Sequence, residues 1–571
     1  MPLFSIVPNL VHRRKKTIMM TRSAIAGDLP VVERRSDALS LPKNFLGLSG
    51  TGRLKAILDL PDPGAFLRRL RADEFSFLLN GIGLEDAGCL FRYSTKSQRL
   101  ALFDMDAFND REFLPERFDR LLDVAREAGL EFTVKLIKDL DPELVVLSLL
   151  KRAAFYTLEE AEDMEFQEGT TFLTPDNVFM VACQHPDDVP AVRAELDLVY
   201  AVGVEFAHRL IQAGRFDTVS SLEHQTGNYR KLRLSSYGFP DDDNRDELYE
   251  PFDLKGFKAR VLAPDAFVPL PGLTPGEPLA LAMAGTSGGL FFWRVMNSAG
   301  AVRLDSAFIF SQTMNLINRL LGTVEADLAM QEEWDRASGQ ALTMMSIGLE
   351  AVAGDDIELA VDVLSKAVPL ELFRAGIELA RPANIVARQV VADVGGLANL
   401  VLFGQGGAAD IDAVASFPPK CPPSVAHGPS RDFLTAAEVA AALSLMKKYR
   451  AVVQFATGVL GFAPERKAAG AESIVEATFF NVVATAWARQ LLDGSLSIEP
   501  LTSSEVSRLC RLVFLDGRLR PELRLAASGS DDYSSAVAEF LDESLDLVEE
   551  SLGGLGENFD IGMIGDSLLF R

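Results

Sequence analysis

The chain has 571 residues, 48% of them apolar and 24% charged, with a net charge of −25. That length allows roughly three or four domains of about 150 residues, and the balance excludes wholesale disorder. Residues 1–35 carry seven basic side chains against two acidic ones, so the rest is strongly acidic, repels phosphate backbones and argues against a nucleic-acid partner.

Mean hydropathy is +0.13, which makes membrane spans worth checking. The longest uncharged stretches, 278–293 and 394–409, are 16 residues each and contain glycines. A spanning helix needs ~18–20 apolar residues, so no membrane insertion is expected. In the leader, His12-Arg13-Arg14-Lys15-Lys16 is followed by five uncharged residues before Arg22, too few for the ~7–15-residue apolar core of a secretory signal. Met19 and Met20 read as alternative starts. Cys89, Cys183, Cys421 and Cys510 contain no C-x-x-C pair, which excludes a zinc ribbon or a thioredoxin-like motif. Reduced, buried thiols in a cytoplasm are expected instead.

Short helices are predicted from about residue 51. Asp62-Pro63 supplies an N-cap and an N1 proline, Asp73-Glu74 and Glu85-Asp86 open the next two, and Thr95-Lys96-Ser97-Gln98 fits a capping box. Ends near Leu70, Ile82 and Tyr93 recur every 11 or 12 residues. Helices this short must stack to bury an apolar face, which predicts a compact superhelix. Further helices are expected over 115–128, 131–140 and 142–152, followed by an acidic linker at 158–165. Residues 171–173 and 178–181, divided by Thr174-Pro175-Asp176-Asn177, predict a β-hairpin. One amphipathic helix is then expected from Asp188 and Pro190 to Gly214, with Val192, Leu196, Val199, Gly203, Phe206 and Leu210 on its inner face. Residues 216–302 and 404–431, rich in proline and glycine, read as irregular. Between them Gly354, Asp355-Asp356 and Pro369 mark a helix hairpin over 346–368 that resembles a single tetratricopeptide unit. Helices resume at 435–454 and run to about 551.

The fold expected is therefore mainly α: a short-helix superhelical N-terminal domain followed by helical bundle or repeat-like domains with a small β-hairpin. Its segments are a leader (1–50), the short-helix domain (51–155), a mixed domain (156–302), a helical domain (303–403), a linker loop (404–430) and a C-terminal helical domain (431–571).

Residues 229–240 read Y-R-K-L-R-L-S-S-Y-G-F-P, and Glu247-Leu248-Tyr249 follows. This stretch resembles the signature of a bacterial family catalogued as domain of unknown function 6178. Ile82-Gly83-Leu84-Glu85-Asp86 with Leu102-Phe103-Asp104-Met105-Asp106 agrees with it. So does Ile347-Gly348-Leu349-Glu350 with the run from Val368 to Gly376. The resemblance covers about residues 55–390 and implies kinship without a reaction. Residues 57–110 are also similar to the superhelical cytosolic N-domain of magnesium transporters, which implies sensing of divalent cations.

Several motifs bear on chemistry. Gly285-Thr286-Ser287-Gly288-Gly289 satisfies the nucleophile-elbow pattern, with His427 as the one downstream histidine and Asp410 or Asp412 as orienters. The expected helical surroundings lack the parallel sheet such a site stands on. Gly47 to Leu54 approaches a phosphate-binding loop, but Arg53 and Leu54 replace its lysine and hydroxyl residue. Asp241, Asp242 and Asp243 could ligate calcium or magnesium, although consecutive aspartates point different ways, and Arg230 and Arg233 just before them suit an ion-pair network. Arg230, Arg233 and Tyr249 are the binding candidates. The five histidines contain no H-E-x-x-H or close pair, so neither a zinc site nor any other cofactor is expected. His208 reads as a partly buried structural residue, and Trp293, Trp334 and Trp487 as core anchors. The function expected is that of a cytoplasmic bacterial interaction or scaffold protein that docks another protein. The alternatives are a regulatory protein sensing a divalent cation or small ligand, and a serine hydrolase acting through Ser287.

Overall fold

Helix-start chemistry in the sequence becomes helix starts in the structure, a computed structural model. The structure describes residues 48–109, 112–240, 247–263, 289–464, 476–528, 534–553 and 566–571. All of these residues fall in one compact unit. The first helices are α1 (Gly50–Leu58), α2 (Pro63–Arg69), α3 (Ala72–Ile82), α4 (Gly88–Phe91) and α5 (Lys96–Asp106). Asp62 caps α2 by accepting from the Ala65 amide, and Thr95 with Gln98 forms the expected capping box on α5. A two-stranded ribbon, β1 (Phe108–Asn109) and β2 (Glu112–Phe113), leads to α6 (Pro115–Glu127), α7 (Leu130–Asp139) and α8 (Pro142–Leu150).

Next come β3 (Ala153–Thr157), α9 (Leu158–Glu162), β4 (Thr171–Leu173) and β5 (Phe179–Cys183). The hairpin of β4 and β5 is present, but it belongs to an antiparallel three-stranded sheet of order β3-β5-β4. Alternation puts Phe155, Phe172, Phe179 and Val181 on one face, buried against Leu149, Val192, Leu196 and Ile211. The acidic linker contains α9, whose capping box pairs Thr157 with Glu160.

The single helix expected after Asp188 is two: α10 (Val189–Val202) and α11 (Val204–Phe216). Gly203, at φ 153°, breaks it with a backbone conformation that other side chains rarely adopt. The span 216–302 is not irregular throughout, since it holds α12 (Val219–Ser236), α13 (Leu254–Val261) and α14 (Phe291–Met296).

The second half is built on α15 (Ser306–Thr323), α16 (Gln331–Ala353), α17 (Ile357–Lys366) and α18 (Pro369–Asp393). The hairpin of α16 and α17 turns where expected, with Gly354 at φ 60° and Asp356 capping α17. Helices α19 (Gly404–Ala415) and α20 (Pro423–Ala426) replace the loop expected at 404–431. Packing of α19 against α18, which buries Ile411 and Val414 completely, overrides the poor helix propensity of Gly404, Gly406 and Gly407. The chain ends with α21 (Ala436–Gly458), α22 (Phe479–Asp493), α23 (Ser503–Val513), the ribbon β6 (Phe514–Leu515) and β7 (Arg518–Leu519), α24 (Pro521–Ser528) and α25 (Ser535–Leu552).

The architecture is mainly α, with small sheets of two or three strands among the described residues. Helix α18 lies at its centre, packed on α15, α16, α19 and α21. Phe373 of α18 is fully buried, as are Trp334, Phe403 and Phe479 on other elements, each contributing about 1.5–3 kcal/mol of apolar transfer. Trp487 is also buried, and the Trp334 indole N–H donates to the Leu328 carbonyl at 2.8 Å. No single helix among the described residues is long and apolar enough to cross a membrane.

Candidate functional site

The stretches that carry the family resemblance come together in space. Helix α12 starts on Thr218, whose hydroxyl accepts from the Ser221 amide, and it presents Arg230 and Arg233 to α5. Arg233 grips Asp104 with two bonds, Nε to Oδ2 at 2.6 Å and Nη2 to Oδ1 at 2.8 Å, and its Nη1 donates to Asp141 at 2.7 Å. Arg230 donates from Nε to the Asp104 carbonyl at 2.6 Å and lies over the Phe108 ring. Asp104 is 1% exposed. Burial pushes its carboxyl up from the ordinary value, and the Arg233 guanidinium opposes that rise. Because arginine cannot give up its proton here, the arrangement holds as a bidentate ion pair.

Where α12 ends, the chain makes a second set of polar contacts. The Tyr237 carbonyl accepts from Asn318 Nδ2 at 2.8 Å. The same Nδ2 donates to Asp73 at 2.7 Å, and Asp73 takes two bonds from Arg71. Arg71 also donates to Ser311 Oγ at 3.0 Å and Asn315 Oδ1 at 2.8 Å. These charges are interior, Arg71 at 5% and Asp73 at 0% exposure. Gly238 follows at φ 97°, where a Cβ would lie 3.0–3.2 Å from Asn315. Pro240 then seats on Gly322, where a Cβ would stand 2.4 Å from the proline ring.

The remaining signature residue is held elsewhere. Tyr249 accepts from Gln340 Nε2 of α16 at 3.2 Å, its carbonyl accepts from Arg381 of α18, and its ring lies 4.8 Å from Phe417. Burial raises the Tyr249 phenol above its ordinary value. Nearby, the two glycines of the third matching stretch face each other across the crossing of α16 and α18. A Cβ on Gly348 would lie 1.9 Å from the Leu372 carbonyl oxygen, and one on Gly376 2.2 Å from that of Met344.

Among the described residues, the remaining candidates are not assembled into a reactive centre. Ser287 and Asp241, Asp242 and Asp243 lie outside the described residues. His427 is at φ 51° just past α20. Asp410 does not orient it: that carboxylate accepts from the Ser424 amide at 2.9 Å, the Ser424 hydroxyl at 2.5 Å and the Tyr449 hydroxyl at 3.0 Å. Among the described residues no group of three His, Cys, Asp or Glu side chains could hold a metal ion. His208 is half-buried, with Nε2 2.5 Å from Asp176, as its structural reading requires.

Two examples show buried charge systems that sequence reasoning does not single out. One is Arg71 with Asp73. The other is Glu195, wholly buried on α10, which accepts from Arg152 Nη2 at 2.7 Å and Ser148 Oγ at 3.0 Å. Burial pushes Glu195 up to about 8, with Arg152 opposing. A signal was present, since Glu195 falls three residues after Val192 and beside Leu196, inside the apolar stripe of its helix.

The family model described as "Family of unknown function (DUF6178)" matches residues 35–561. The chain belongs to that family. No curated protein and no solved structure matches it, and the likeness of residues 57–110 to magnesium-transporter N-domains gains no support. In this member of the family, the signature residues on α12 act as internal wiring. Arg230 and Arg233 fix that helix to α5, Tyr237, Gly238 and Pro240 just past its end meet α15, and the glycines of the third matching stretch close the crossing of α16 with α18.

Proposed function

We propose that this protein is a bacterial cytoplasmic docking protein whose working surface includes the outer side of α12. The observation that carries this reading is the two-sidedness of that helix. Arg230, Arg233 and Leu234 tie its inner side to the frame, while Leu232 is 73% exposed and Tyr229 43% exposed on the outer side. Three residues apart on a helix, these two side chains are neighbours. A helix held this firmly presents them without an ordering cost on binding, which is how a rigid hot spot of one aromatic and one aliphatic anchor works.

The test is capture of the tagged chain from mildly crosslinked native cells, in parallel with the Tyr229→Ser/Leu232→Asp double variant. One partner recovered in near-stoichiometric amount and lost in the variant is the expected result. Recovery of the chain alone, or of a partner indifferent to the variant, overturns the reading. Deletion of residues 55–110 is unsuitable for this purpose, because Asp104 and Arg71 are built into the frame.

A further inference from the structure

The three-stranded sheet has a second face that the core does not use. Alternation sends Ala154 and Tyr156 of β3, Met180 and Ala182 of β5, and Leu173 of β4 away from the buried phenylalanines. At one end of this face a cleft of about 550 Å³ opens between the sheet, the segment after α9 and the junction of α11 with α12. Its floor draws on small residues, Ala154 beside Ala182 on this face and Ala153, Cys183 and Gly214 at its end, with Leu150 and Val219 next to them. One wall is aromatic, with the Tyr156 and Phe166 rings 5.6 Å apart. Glu165 and Asp217 also line it, both exposed and neither paired with a cation among the described residues. Cys183 adds no charge, since burial pushes its thiol up to about 11.

The cations near this cleft are engaged elsewhere: Lys151 pairs with Glu223, Arg152 with Asp119 and Glu195, and Arg193 lies over the Phe172 ring. Between Arg152 and Arg193 the chain carries nine carboxylates and no lysine or arginine. Arg215, on the stretch flanking the cleft, pairs with Glu160. An occupant therefore needs an apolar stem slim enough for an alanine floor, a flat face for an aromatic wall and a positive head for two carboxylates. Arginine combines these properties: its methylenes cover apolar surface, its guanidinium stacks on aromatic rings and it pairs with carboxylates.

We propose that the cleft seats an arginine side chain carried by a basic segment of the protein that docks here. This rests on the docking reading above and names the chemistry of the partner. The probe is a fluorescent decapeptide with two arginines, one leucine and a photo-crosslinking side chain, beside a twin with glutamate in place of arginine. Binding is read by anisotropy, and crosslinks are mapped by mass spectrometry.

The expected result is binding of the arginine peptide alone, with crosslinks at Tyr156, Met164 or Phe166. Affinity is expected to fall about tenfold or more in Glu165→Gln/Asp217→Asn, which removes two charges, and in Ala154→Trp, which fills the floor without changing charge. The control Glu332→Gln/Asp355→Asn removes equal charge from exposed positions elsewhere and is expected to bind as the parent does. Thermal melting confirms that each variant is folded. Equal loss in the control, or crosslinks scattered over the surface, means electrostatic adsorption only and overturns the proposal. Spermidine binding that responds to these variants while the peptide does not bind also overturns it, in favour of a small amine. A cellular partner lost in the α12 variant but retained in both cleft variants overturns the cleft assignment and leaves the docking reading standing. A probe that binds as expected while the α12 variant retains its partner removes α12 from the working surface and leaves the cleft.

Discussion

At the crossing of α16 and α18 two helices meet through bare backbone, glycine against carbonyl oxygen. Around α12, other stretches of the same family resemblance meet through guanidinium and carboxylate groups. The difference teaches how a family signature can be spent. Two glycines permit an approach distance that no side chain allows, so that contact tolerates almost no substitution. The arginines of α12 reach across longer gaps and divide their hold among several acceptors, so one loss leaves others in place.

The largest expected effect tests the first region. Gly348→Val forces a side chain into a site where even a Cβ meets an oxygen at 1.9 Å, so the helices must separate. Overpacking of this kind costs about 3 kcal/mol or more, read as a lowered denaturant midpoint or as loss of soluble protein. A midpoint close to that of the parent would show that the crossing is not tight.

Asp104→Ala tests the second region, leaving Arg233 with Asp141 and Arg230 with the backbone carbonyl. Breaking a buried pair costs roughly 3–5 kcal/mol. The remaining acceptors reduce that to about 2–3 kcal/mol, checked by urea unfolding. Asp104→Asn should recover part of the loss.

Acid sharpens the comparison at a smaller scale. Asp176 is held at about 2, because bonds from His208, Thr174 and Tyr200 outweigh the effect of burial. Glu505 is held at about 2 by the Thr502 amide and hydroxyl and by Arg489. Both folded values lie below the unfolded ones near 4. Their stabilisation is thus full above pH ~4.5 and lost as pH falls through about 2. Each contributes on the order of 1–2 kcal/mol, and Asp176→Asn or Glu505→Gln should flatten the decline in stability between pH 5 and pH 2.5. The smallest effect belongs to Leu232→Asp, an exposed change expected to shift stability by no more than about 0.5 kcal/mol while abolishing partner capture.

What was legible in the sequence was local. The caps at Asp62 and Thr95, the turn at Gly354 and Asp356, and the hairpin of β4 with β5 each depend on residues close together in the chain. Strand β3 was not legible because its partner β5 arrives more than 20 residues later, and Ala-Ala-Phe-Tyr-Thr is equally a helix tail. Helix α12 is polar on most of its circumference, and its stability comes from Asp104, Asp141 and the Lys151–Glu223 pair, none of which periodicity detects. The sequence places Arg230 and Arg233 in an ion-pair network, and Arg233 joins one through Asp104 and Asp141, on other elements, while Arg230 donates to the Asp104 backbone carbonyl. Asp241, Asp242 and Asp243 lie outside the described residues.

Arg71 carries one further consequence, concerning time. Its acceptor Ser311 lies 240 residues farther along the chain. A ribosome adding about 5–20 residues per second takes roughly 10–50 s to reach it. Throughout that interval the start of α3 holds a guanidinium whose acceptors on α15 do not yet exist. Until α15 emerges, Arg71 has only Asp73, two residues away, to hold it among these acceptors, and the rest of its hold is completed late in synthesis.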